Sequence, residues 1–101
     1  MISEVGKELP NTALQEAPPA IAKAELLRQD GKLDEALRAI GPYLADNFDS
    51  VPAIMVAANI FLDAEKLGLA HPLLMRAAVL EPTLPLIWNN IGICYREGAN
   101  W

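Results

Sequence analysis

Cys94 and His71 are the only thiol and the only imidazole in the chain, so an activated nucleophile would have to be built from this pair. His71 stands beside Pro72, with no Ser, Cys or Asp at a spacing that would set a nucleophile against it, and the helical pattern below puts Cys94 on a different helix. His, Cys, Asp and Glu do not recur at metal-ligand spacing, and no glycine-rich loop could cradle a phosphate. Glu25 with Arg28 and Glu35 with Arg38 are spaced as ion pairs on a helix surface, worth a few tenths of a kcal/mol rather than acid–base chemistry. No catalytic residue, cofactor or metal site is expected. What chemistry the chain has must lie in the faces that its elements present.

Those elements belong to an acidic, aromatic-poor chain of 101 residues with a formal charge of -5. An apolar share of 52% against 21% charged is enough to bury a core, and with only 6% aromatic residues that core must be built from Ala and Leu. The eight Lys and Arg are scattered, which excludes the clustered positive charge of a nucleic-acid site. A single cysteine suits a reducing compartment, and the opening residues lack the basic start and apolar run of a secretory signal, so a cytoplasmic location is expected. The longest apolar stretch, 51–62, contains Asn59 and is too short to cross a bilayer, so no membrane role is expected.

Residues 1–16 carry Pro10 and scattered charges without a sustained period and read as an N-terminal extension, loosely ordered or packed on. From there the punctuation is regular. Pro18-Pro19 opens an Ala-rich run over 20–29 that stops at Asp30-Gly31, and Asp34-Glu35 restart a helix with acids at its N-terminal end. Ser50 caps a run over 51–64 that is apolar on more than one face. A break at 65–68 precedes a helix over 69–80, and Thr83 is placed as the cap of a last helix over 84–96. Pro42 is expected to kink or shorten its helix, and Pro72 to fall in the first turn of a helix that starts late. No segment alternates with a period of two, so the fold class is all-α.

A bundle and a solenoid both follow from short-looped helices, and internal repetition separates them. Starts at Ala17, Val51 and Pro85 are evenly spaced, with a period of about 34 residues that falls in the range of helical repeat units. The eighth place of each unit is small (Ala24, Ala58, Gly92) and the eleventh is large (Leu27, Phe61, Tyr95). The twentieth place holds Ala36 and Ala70, and the twenty-fourth Ile40 and Leu74. Small residues let two helices cross closely while large ones fill the adjoining holes.

This pattern resembles the tetratricopeptide repeat (TPR). Trp88, Ile91, Gly92 and Tyr95 match the first-helix signature W-x-x-L-G-x-x-Y with Ile for Leu, and the second unit contributes Ala58, Phe61, Ala70, Leu74, Ala77 and Pro82. The first unit matches through Ala24, Leu27, Gly31, Ala36 and Ile40 but lacks the closing proline. The resemblance covers 17–101 and implies a right-handed helix–turn–helix solenoid of about two and a half repeats: 17–50, 51–84, and the first helix of a third over 85–101. It implies a non-catalytic scaffold or adaptor that binds a protein or peptide segment in a concave groove.

Carrying the groove places of the family onto this chain assigns Ile21, Glu25 and Arg28 from the first unit; Met55, Asn59, Leu62 and Asp63 from the second; and Asn89, Ile93 and Arg96 from the third. Asn59 and Asn89 offer both donor and acceptor to the backbone of an extended peptide. The family's clamp for a C-terminal carboxylate needs basic residues where this chain has Ile21, Leu86 and Asn90, so the ligand is expected to be apolar or mixed. The third unit stops where its second helix would begin, leaving Trp88, Ile91, Tyr95 and Trp101 on an uncapped end. A homo-oligomer formed through that end is expected, and so is a longer parent protein. The alternative is the N-terminal recognition arm of a larger enzyme, such as a transferase, whose catalytic domain lies beyond residue 101.

Overall fold

The computed structural model describes residues 18–98, so the expected extension over 1–16 and the expected role of Trp101 lie outside the described residues. All regular structure among them is helical: α1 Pro19–Gln29, α2 Leu33–Asp46, α3 Val51–Asp63, α4 Leu67–Leu80 and α5 Pro85–Glu97. The helix ends keep the spacing of the sequence repeat. Helices α1, α3 and α5 finish at Gln29, Asp63 and Glu97, while α2 and α4 begin at Leu33 and Leu67 and finish at Asp46 and Leu80. Only the start of α1 departs from the register. Pro18 is held extended at φ -52° and ψ 143°, because a residue before proline is kept out of the helical region.

The turns repeat as well. Gly31 and Glu65 both adopt the left-handed conformation, at φ 79° and 61°. At the first turn Gly31 N–H donates to the Arg28 carbonyl at 2.9 Å and Lys32 N–H to that of Leu27 at 2.9 Å. At the second, Glu65 N–H donates to Leu62 at 3.0 Å and Lys66 N–H to Phe61 at 2.8 Å. This pair of bonds satisfies the last orphan carbonyls of a helix and reverses the chain within a short turn. Glycine reaches the left-handed region without cost, whereas glutamate there carries a strain of about 1 kcal/mol.

Three boundary expectations are corrected. Helix α4 begins at Leu67, not late, because the Lys66 carbonyl accepts from both Leu69 and Ala70, each at 3.1 Å. Both α2 and α4 run through their prolines, and α2 continues to Asp46. The donors that Pro42 and Pro72 lack would have met the carbonyls of Arg38 and Gly68, both exposed residues, where a missing helix bond costs least because solvent can take its place. At α5 the N-cap is Leu84, with no side-chain capping bond, rather than Thr83. The Ser50 cap forms, its Oγ accepting from Ala53 N–H at 3.3 Å.

The core is two packed clusters on opposite sides of α3. One joins Ile21 and Ala24 of α1, Ala36 and Ile40 of α2, and Ala53, Val56, Ala57 and Ile60 of α3. The other joins Ile54, Met55 and Ala58 of α3 to Ala70, Leu74, Ala77 and Ala78 of α4 and to Ile87, Ile91 and Cys94 of α5. Leu44 and Leu73 pack against both. Helix α3 is therefore buried on more than one side, which is what its uninterrupted apolar run requires. Arg76 on α4 ties down the α2–α3 turn. It donates to the Phe48 carbonyl at 3.1 Å, pairs with Asp49, and lies 3.7 Å above the centre of the Phe48 ring.

The paired turns generate a test by reciprocal substitution. Gly31→Ala should lower unfolding free energy by about 1 kcal/mol, and Glu65→Gly should raise it by about 0.5 kcal/mol, as read by urea titration.

Candidate interaction surface

The groove positions expected from the resemblance separate into floor, face and rim. Ile21 and Met55 are floor, only 5% and 7% exposed and built into the two core clusters, so they support the surface without being free to meet a ligand. Leu62 and Ile93 are half-buried, while Asn89 and Arg96 are exposed.

The polar positions are organised around one face of α3. Asn59, Leu62 and Asp63 share that face by their i, i+3, i+4 spacing. Toward α1, Asp63 Oδ2 accepts from an Arg28 guanidinium nitrogen at 2.7 Å. Arg28 also holds Glu25 with two bonds, Nε to Oε1 at 2.9 Å and a terminal nitrogen to Oε2 at 2.7 Å, and Gln29 donates to the same carboxylate at 3.1 Å. Toward α5, Asn59 Oδ1 accepts from Asn90 Nδ2 at 3.1 Å. The amide N–H groups of Asn59 make no hydrogen bond within the described residues and remain accessible. A single helix face is thus joined to the first helix by ions and to the last by amides.

Charge follows geometry here. The Arg28 hydrogen bond holds the Glu25 carboxyl below its ordinary value, against a smaller opposing push from burial. The same contact with Glu25 raises Arg28 further above its ordinary range. Glu35 and Arg38, spaced like Glu25 and Arg28, form no ion pair with each other, and both are exposed. Arg28 is in addition held by Asp63 from a second helix.

Two features of this surface were missed or misplaced from sequence. Asn59 is bonded by Asn90, buried at 6% exposure, a pairing that the sequence reading did not contain, while Asn89, the expected groove amide, is its exposed neighbour. A signal was present, since Asn90 takes the place in the third unit that Val56 takes in the second, a polar side chain at an apolar position. The Arg28–Asp63 tie crosses helices, and no spacing within one helix announces it.

At the other end of the molecule, the four residues expected to self-associate divide. Trp88 and Tyr95 are 49% and 60% exposed. Ile91 is interior, because it shares with Ile87 and Cys94 the opposite side of α5, packed toward α3 and α4. The Trp88 indole donates to the Pro82 carbonyl at 2.6 Å. Tyr95 meets the His71 ring edge-on at 5.2 Å between centres, with its hydroxyl 3.3 Å from Nε2. Cys94 is fully buried, and burial first, then the Glu97 charge, raise its thiol above the ordinary value, so it is protonated at neutral pH.

Among the described residues no helix is long and apolar enough to cross a membrane, and no three His, Cys, Asp or Glu side chains gather into a metal-binding group. No family model, curated protein or solved structure matches the chain.

Arg28→Met should lower stability by about 1 kcal/mol, mostly through Glu25, since Asp63 is more exposed and better screened. The folded pKa of Glu25 is below its ordinary 4.5, so its stabilising contribution is complete above that pH and is lost as the pH falls through the lower folded value. Urea titrations of both proteins should therefore differ at neutral pH and converge on acidification below about pH 4.5.

Proposed function

We propose that the chain is a helix–turn–helix repeat module of the tetratricopeptide type, a right-handed solenoid, and that it acts as a scaffold by binding a protein segment across α1, α3 and α5. The reading is supported by the regular spacing of helix ends and of the two left-handed turns, Gly31 and Glu65. The observation that carries it is the face of α3 bearing Asn59, Leu62 and Asp63, bonded to α1 on one side and to α5 on the other. A rigid surface spanning three helices lowers the ordering cost that a partner segment must overcome.

The ligand class follows from what the surface offers. The Asn59 amide N–H groups suit backbone carbonyls of an extended or helical segment, while Leu62 and Ile93 supply partly open apolar contact. The Glu25–Arg28–Asp63 cluster carries one excess negative charge, so a neutral or weakly basic segment is favoured over an acidic one.

Selection of a displayed peptide library on the immobilised chain, followed by affinity measurements on variants, tests this reading. Asn59→Asp keeps the acceptor that Asn90 needs but removes the donors, and should weaken selected peptides about tenfold. Arg38→Ala, at an exposed position of α2, should leave them unchanged. Peptides indifferent to Asn59→Asp, or no selected binders at all, would overturn the assignment.

A further inference from the structure

Asn90 on α5 is the one buried polar residue among those described. The repeat register puts Ala22 and Val56 at its place in the two earlier units, and Val56 is buried in the cluster that joins α1, α2 and α3. An apolar side chain is therefore accommodated at this place, and packing alone does not call for an amide there. Among the described residues the Asn90 side chain bonds to Asn59 alone, its Nδ2 donating to Asn59 Oδ1 at 3.1 Å. The direction of that bond has a physical reason. Reversed, it would leave both N–H groups of the buried Asn90 without an acceptor, and a buried N–H without a partner is tolerated less than a carbonyl with a spare lone pair. Asn59 is only half-buried, so its own N–H groups reach the surface.

We infer that Asn90 is a positioning residue: by donating to Asn59 from the core, it locks the Asn59 amide with its N–H groups outward and makes the face of α3 select a carbonyl acceptor in the partner segment. This role rests on the binding function proposed for that face and specifies what the face reads. Leu62 lies one turn beyond Asn59 on α3, and Ile93 one turn beyond Asn90 on α5, both half-buried. The pattern the segment must carry is thus a backbone carbonyl over Asn59 and an apolar side chain about 5 Å further along. Without Asn90 the Asn59 amide would turn freely and offer either its carbonyl or its N–H groups, so both affinity and donor–acceptor selectivity would fall.

Hydrogen exchange of the assigned side-chain amides, followed by NMR, tests the lock without any ligand. The Asn90 amide should exchange at least about tenfold more slowly than that of exposed Asn89, and the Asn59 amide about as fast as Asn89. An Asn59 amide slower than that of Asn90 means that the pair faces the other way, and overturns the inference. Binding is then read with peptides selected on the wild-type chain. Asn90→Val, which installs the side chain of the second unit, should keep the urea midpoint or raise it while weakening the peptides about fivefold. In the Asn59→Asp background no outward donor remains to be positioned, so Asn90→Val should change affinity by less than about twofold. An equal loss in both backgrounds makes the role of Asn90 merely structural and overturns the inference, as do peptides indifferent to Asn90→Val. If no peptide is selected at all, the binding function itself fails and the positioning role fails with it.

Discussion

The constraint on which the rest of this molecule depends is the burial of alanine between helices. Ala24 and Ala36 are wholly buried in the α1, α2 and α3 cluster, and Ala58 and Ala70, at the same places of the next unit, are wholly buried in the α3, α4 and α5 cluster. A side chain that ends at Cβ allows backbones to approach to the short end of the usual interaxial range, and the larger Ile40 and Leu74 fill the space alongside. Few aromatic residues are needed in such a core, which is why an aromatic-poor chain can still close one.

Helix α3 must then serve two cores at once, and its polar residues are confined to what remains. Asn59 and Asp63 occupy one strip of an otherwise apolar helix, and each is engaged by a neighbouring helix, Asp63 by Arg28 and Asn59 by Asn90. The same economy explains the buried amide. Asn90 sits where the register places Val56, and burying it is tolerable only because Asn59 accepts its hydrogen bond. The polar surface across α1, α3 and α5 is thus a by-product of packing as well as a candidate binding face.

Much of the helix order was legible in the residues, because it rests on local signals: Pro18-Pro19, Asp30-Gly31, the Ser50 cap and the small places at Ala58 and Ala70. The discrepancies have non-local causes. Pro42 and Pro72 look like helix breakers until their outward position is known, since the cost of a missing donor depends on whether water reaches the orphaned carbonyl. The ties of Arg28 to Asp63 and of Arg76 to Phe48 and Asp49 join residues from different helices and turns, which no periodicity reveals. Asn89 and Asn90 are adjacent and chemically identical, and only the rotation of α5 decides which is buried. The same rotation takes Ile91 inward and leaves Trp88 and Tyr95 exposed.

If the small-residue crossings set the spacing, three substitutions at one register position should have unequal effects. Urea unfolding of Ala24→Met, Ala58→Met and Gly92→Met measures this directly. Methionine at 24 or 58 has no room and should cost about 2–3 kcal/mol or prevent folding. At 92 it meets open space and replaces a helical glycine, so stability should be unchanged or higher by about 1 kcal/mol. Equal destabilisation at all three positions, or tolerance at 24 and 58, would contradict the packing that organises the whole chain.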